Sequence, residues 1–422
     1  MPARPLPPTP DTLDTPDTPG TPTARPGVPG VSDAAGRPGS QSALRRQNQQ
    51  RLVSALRSGG SQTQAELARQ TGLSTATVSN IVKALASVGI VSTEPTTSSG
   101  RRALSVTLED DGQVAAGIDV GRRHLRVVLA GTSHCIIREA SVPLPPGHTA
   151  ADGLTIAADL LDSLLAEGGI HRRALLGAGV GIPGPIDRRT GTVVEGGILP
   201  EWVGIDIRGM FRDRLQIPVH IDNDANLGAL AQVSWGPHQA VANLLFLKLG
   251  SGIGAGLVLD GALFYGHVGI TGELGHTTIN EHGVICRCGN RGCLETVAST
   301  STMIELLGRG TREPVDTRQI VERALAGETA VLRVVDDAGV AVGRALAHMA
   351  NLVNPETIVI GGPLTDLGEI LLEPVRRGLS RHAVPIIGET TNVCMSSLGD
   401  RAEALGAAAL VLARAGLARP ET

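Results

Sequence analysis

Three cysteines and one histidine carry the most specific chemistry in this 422-residue chain: His276, Cys286, Cys288 and Cys293, with the sulfurs gathered in VICRCGNRGCLE. Thiolates clustered in this way, in a protein expected in the cytoplasm, point to a metal rather than to disulfides. Three sulfurs and an imidazole close a tetrahedral set that suits structural Zn²⁺. The spacing, H-x9-C-x-C-x4-C, is not that of a zinc finger. Gly289 and Gly292 let the backbone turn tightly enough to bring Cys288 and Cys293 onto one ion. Cys135 and Cys394 stand apart and are expected to be packed core thiols.

A second chemistry lies near the N-terminus. Thr75, Thr77, Ser79, Asn80 and Lys83 are small or hydrogen-bonding residues along one side of a short helical stretch, whose other side carries Val78, Ile81, Val82 and Leu85 at i, i+3, i+4 and i+7. Such a polar face, placed towards a helix N-terminus, can meet base edges and phosphates in a DNA groove. Ahead of it, Thr63-Gln64-Ala65-Glu66 reads as a capping box, Gly72 as a left-handed turn between two helices, and Ser74 as a cap for the second. Beyond Gly89, VSTEPTTSSGRRALSVTL reads as two strands around a polar turn, where Arg101 and Arg102 suit the wing of a winged helix-turn-helix.

The elements that must position these groups differ along the chain. Residues 1–40, rich in Pro, Thr, Asp and Gly, cannot bury enough surface to order themselves and are expected to be disordered. Residues 41–107 form the expected winged helix-turn-helix. Between Gln41 and Leu104 eight basic residues face two acids, a local charge of +6, which leaves −10 for the rest of a chain whose net charge is −4. That asymmetry confines nucleic-acid binding to one end. Residues 108–422 alternate β-rich runs with Ala/Leu-rich helical stretches, the pattern of an α/β fold. The runs are VAAGIDV (114–120), LRVVLAG (125–131), ALLGAGVGIP (174–183), LLFLKLG (244–250), GAGLVLDG (254–261) and TIVIGG (357–362). Two glycine-punctuated openings, near 117–131 and 246–261, suggest two related halves. With two Trp, one Tyr and three Phe, the core must rest on Ala, Val, Leu and Ile. No apolar run nears the roughly 18 residues that would span a membrane.

Together these residues resemble the ROK family of sugar kinases and sugar-responsive repressors, over about Gln41 to the C-terminus. The strongest match is GELGHTTINEHGVICRCGNRGCLE at 272–295; GVGIPGPID (179–187), DNDANLGALA (222–231), GSGIGAGLVLDG (250–261) and IVIGG (358–362) support it. The resemblance implies a two-lobed actin-like, sugar-kinase-like (ribonuclease H-like) ATPase fold behind the winged helix-turn-helix. It makes His276, Cys286, Cys288 and Cys293 zinc ligands and gives the sugar hydroxyls to Asn223, Asp224, Glu273, His276 and Glu295. The expected partners are a double-stranded DNA operator, a sugar or sugar phosphate, and further copies of the chain as a homodimer or homotetramer. Asp222 and Asp224 have a plainer reading as caps of the following helix.

Asp224 is also the position that matches the family's kinase general base. The kinases follow GIDVG, here 117–121, with small residues whose backbone faces phosphate; this chain continues with Arg122, Arg123 and His124. Bulk at that turn argues against ATP use. The glycine-rich loop at 250–256 survives, although glycines there also serve strand–helix packing. The expected protein is therefore a regulator of carbohydrate genes that is not an enzyme, with an ATP-dependent sugar kinase carrying a DNA-binding domain as the alternative.

Overall fold

The structure, a computed structural model, describes residues 48–49, 51–53, 55–56, 60–87, 91–98, 101–108, 112–194, 199–309 and 315–417. The tail expected to be disordered, 1–40, lies outside them. No helix among the described residues is long and apolar enough to cross a membrane.

The N-terminal part is built as its sequence predicts. Helix Gln64–Thr71 starts at the Thr63–Glu66 capping box and stops at Gly72, whose φ of 68° is the left-handed value a side chain resists. Helix Thr75–Ser87 begins where Ser74 Oγ accepts from the Thr77 amide at 3.1 Å. Its stripe of Val78, Ile81, Val82 and Leu85 is buried against Leu52, Leu56 and Leu67. Strand β1 (Gln62–Thr63) pairs with β3 (Arg101–Leu108), which also pairs antiparallel with β2 (Val91–Ser98). The two longer strands form the expected wing.

The larger part holds two five-stranded sheets of the same design. In the first, β4 (Val114–Val120), β5 (His124–Gly131) and β6 (Ile136–Pro143) run antiparallel in succession, while β7 (Leu175–Ile182) and β10 (Val219–Asn223) add in parallel, in the order β10-β7-β4-β5-β6. A small hairpin of β8 (Ile186–Asp187) and β9 (Thr192–Val193) follows β7. In the second sheet β11 (Leu244–Leu249), β12 (Ile253–Leu259) and β13 (Ala262–Leu263) run antiparallel, while β14 (Thr357–Gly361) and β15 (Asn392–Met395) add in parallel. The strand order relative to chain direction matches between the sheets, so the expectation of two related halves holds.

Both faces of each sheet are covered, which is why these strands read as unbroken apolar runs. Helices Ala150–Glu167 and Ala402–Arg414 lie on the first sheet. A side-chain carbon at Gly117 or Gly179 would sit 1.9 or 2.0 Å from a carbonyl oxygen of the Ala402–Arg414 helix, so backbone packs on backbone there. In β11, Leu245, Leu247 and Leu249 point into one core, while Leu244 and Phe246 point into another on the opposite face, beneath helix Asp224–Ser234. Lys248 shares that second face.

Cys135 departs from expectation. It is exposed, in the tight turn between β5 and β6 where the Gly131 amide donates to its carbonyl, because a two-strand turn has no layer above it to bury a thiol. Cys394 is half-buried, its Sγ 3.7 Å from Nε2 of His238.

Candidate metal centre and ligand cleft

The loop 276–293 folds back on itself through isolated bridges pairing Thr278 with Cys293 and Ile285 with Arg291. Gly292, at φ 65°, lies so close to the Asn280 carbonyl that a Cβ would come within 1.6 Å. This closure gathers His276, Cys286, Cys288 and Cys293, whose ligand atoms all lie within 4.8 Å of one another. Cys288 and Cys293 Sγ are 3.7 Å apart, and Cys286 Sγ is 3.6 Å from His276 Nδ1. A tetrahedral ion with Zn–S of about 2.3 Å and Zn–N of about 2.05 Å requires edges of about 3.8 and about 3.6 Å. The residues therefore fit zinc, and four protein ligands leave no open position, as in a structural site. With Nδ1 turned to the metal, Nε2 of His276 lies 3.8 Å from Glu273 Oε2.

Beside this loop opens a cavity of about 810 Å³. The structure brings all five residues predicted for sugar to its wall: Asn223, Asp224, Glu273, His276 and Glu295. Their settings differ. Asn223 carries the capping role expected of its acidic neighbours: its Oδ1 accepts from the amides of Ala225 and Asn226, and its Nδ2 donates to the Gly184 carbonyl. Asp222 is instead buried and held by Asn226 Nδ2 at 3.0 Å and the Tyr265 hydroxyl at 2.8 Å. Burial pushes its carboxyl above the usual value, and these donors offset only part of the rise. Glu295 is buried and accepts from the Ile253 amide in the second glycine loop and from Arg287.

Several cleft residues were not anticipated. Lys248 Nζ lies 2.8 Å from Asp224 Oδ2 and 3.1 Å from Glu403 Oε1. Burial opposes its charge, but Asp224, Glu403 and Asp119 hold the ammonium well above its ordinary range. Burial pushes Glu403 up, against the pull of Lys248. A lone charge in LLFLKL was the available signal, since a lysine in a buried strand needs partners. At the first glycine turn the side chain against the backbone is not one of the two arginines. Arg122 and Arg123 line the cleft with exposed side chains, and it is the His124 ring that folds over Gly121, where a Cβ would meet it at 2.2 Å. His124 Nε2 is 2.7 Å from Asp119 Oδ2. Burial works to raise the Asp119 carboxyl, yet Lys248, His124 and Arg126 keep it below the usual carboxylate range.

On the helix predicted to read DNA, Thr75, Asn80 and Lys83 are exposed and Thr77 and Ser79 half-buried. Arg102 is exposed on the wing; the Arg101 side chain lies outside the described residues.

Comparison with known proteins places both parts. The model of the ROK family matches residues 115–414, and that of a winged helix-turn-helix DNA-binding domain matches 45–92. A xylose repressor of Caldicellulosiruptor bescii is 30% identical over 369 residues, covering 83% of this chain and 91% of its own. A glucokinase of Halalkalibacterium halodurans is 31% identical over 310 residues, covering 70% and 94%. The solved structure of a ROK family transcriptional regulator, described as a homologue of the E. coli MLC protein, superposes with a TM-score of 0.73 at 24% identity, covering 89% of this chain and 97% of its own. At that identity the likeness speaks for the fold. A family match over most of the chain, on a duplicated sheet design with the zinc-fitting loop beside its cleft, settles the kinship: the chain belongs to the ROK family.

Proposed function

We propose that this chain is a DNA-binding transcription regulator, a repressor of carbohydrate genes that answers to a sugar held in the cleft. The observation that carries the reading is the union, in one chain, of a capped helix with an exposed polar face and a cavity gathering Asn223, Asp224, Glu273, His276 and Glu295. Carboxylates, an amide and an imidazole offer the donors and acceptors that recognise a polyol. Zinc, when bound by His276, Cys286, Cys288 and Cys293, would supply structure alone: it would fix the loop that Glu273 and Glu295 flank and orient the other ring nitrogen of His276. The operator is double-stranded DNA, read by paired winged helices of a homodimer or homotetramer at half-sites about one helical turn apart. Sugar binding shifts the equilibrium between arrangements that do and do not match that spacing, and a coupling of about 1–3 kcal/mol suffices for regulation. Such a reader works where the DNA is, in the cytoplasm.

The second reading, a sugar kinase with an appended DNA-binding domain, draws on the glucokinase relative and on the surviving glycines at 250–256. The His124 ring over Gly121 speaks against it. DNA-binding titration with and without a panel of sugars, run beside a coupled assay of sugar-dependent ATP turnover, tests both. Operator release by a sugar without turnover is expected; robust turnover with no effect on DNA binding would overturn the regulator reading.

A further inference from the structure

The cleft wall contains a knot of buried charge of which the sugar reading uses only Asp224. Lys248, its side chain 16% exposed, contacts Asp224 and Glu403, which stand at or near the starts of two different helices. Asp119, on β4, is a third acid within its field. One Asp119 oxygen is paired with His124; the other, Oδ1, is buried with no hydrogen-bond partner among the described residues. Three buried carboxylates thus converge on a single ammonium, with one imidazole at the margin. Carboxylates so placed must be neutralised by protons, a metal ion or a fixed cation. Asp224 is engaged on both oxygens: Oδ2 with Lys248 and Oδ1 with the Ala225 amide at 2.9 Å.

We propose that Lys248 is a built-in counter-cation for Asp224, Glu403 and Asp119, standing where a divalent metal ion would otherwise be required to neutralise them. The geometry gives the reason. The ammonium sits between two acids at hydrogen-bonding distance, donates to both, and is anchored in the centre of a buried strand, so it cannot leave as a solvated ion does. Asp224 paired in this way remains a hydrogen-bond acceptor with lone pairs to spare for a hydroxyl. The proposal goes beyond the sugar-cleft reading and does not rest on it.

The test uses the full-length zinc-loaded protein, Mn²⁺ as the probe and neither DNA nor sugar. Titration followed by electron paramagnetic resonance is expected to show no Mn²⁺ bound by the wild type. Lys248→Ala, which leaves space among the acids, is expected to take up one Mn²⁺ per chain and to lose it in Lys248→Ala/Asp224→Asn. Mn²⁺ uptake by the wild type that Asp224→Asn abolishes, or a folded Lys248→Ala variant that binds none, overturns the proposal. A thermal-melt arm covers the case in which that variant does not fold. Lys248→Met should melt several degrees below wild type, and Lys248→Met/Glu403→Gln should regain most of the loss; a loss that Glu403→Gln fails to relieve overturns the proposal equally. A chain whose DNA binding ignored every sugar would sink the regulator reading and leave these results standing.

Discussion

Arg287 donates to Oε2 of Glu295 at 2.7 Å, and the same oxygen accepts from the amide of Ile253 at 3.0 Å. One buried carboxylate oxygen thereby joins the 276–293 loop, from which Arg287 comes, to the second glycine loop. A group predicted to bind ligand is also a structural tie, and its two duties can be separated.

Glu295→Ala should cost about 1–3 kcal/mol, because the buried Ile253 amide loses its acceptor and Arg287 its counter-charge. Glu295→Gln keeps an acceptor and should cost less, while both variants lose the sugar-induced rise in melting temperature. Urea denaturation and a thermal-shift screen of sugars and sugar phosphates measure the two effects; an alanine variant as stable as the wild type contradicts the tie.

Replacing Cys288 with Ser removes one corner of the tetrahedron. Zinc content by atomic absorption should fall below stoichiometric, and ligand response should weaken with it, because Glu273 and Glu295 flank the loop the metal fixes. Chelation of the wild type should reproduce the effect. Stoichiometric zinc in the variant would contradict the ligand set.

His124 sets a pH dependence whose sign follows from its surroundings. Burial opposes protonation of the ring, but Asp119 outweighs it and holds the imidazole above its usual value, with Glu403 assisting and Lys248 opposing. A raised folded value means the His124 contribution is fully present below the unfolded value, about 6.5, and fades as pH climbs through the higher folded one. The melting-temperature gap between wild type and His124→Gln should therefore be widest in mild acid and shrink towards alkaline pH. A gap that grows with pH would rule out the charged pair.

On the helix Thr75–Ser87, Asn80 and Lys83 are exposed and should act differently. Asn80→Ala, if the amide reads a base edge, should cost about 1–3 kcal/mol and relax preference at one position. Lys83→Ala should weaken binding to all sequences alike and lower the salt slope by about one. Binding curves at several salt concentrations, on operator and scrambled DNA, distinguish them; no change in either variant would remove this helix from the interface.

What could be read beforehand was what is local in the chain. The apolar runs became strands within two residues of their expected ends, the Thr63–Glu66 box and Gly72 bounded the helix they predicted, and the four candidate metal ligands converged because two glycines close a short loop. What escaped was the meeting of distant residues. Lys248 was visible as a charge without a partner, but Glu403 joins it only through the packing of the last helix. His124, rather than its arginine neighbours, covers Gly121 because its partner Asp119 lies across the β4–β5 turn and draws the ring inward. The capping duty fell to Asn223 because Asp222 is committed to Tyr265 from another loop.

The helix Ala402–Arg414 has a consequence for how the protein is made. It covers a face of the sheet whose strands begin at Val114, with carbonyls seated against Gly117 and Gly179. A ribosome that has delivered that whole sheet, whose last strand ends at Asn223, must still translate about 180 residues before it reaches the covering helix at Ala402. Until then a floor of glycine and alanine stands open, and closing it joins the far ends of the domain, a slow kind of encounter. A stop codon shortly before Ala402 would thus spare every cleft residue except Glu403 and still deny the first lobe its completion, so the nascent chain is the species most in need of a chaperone.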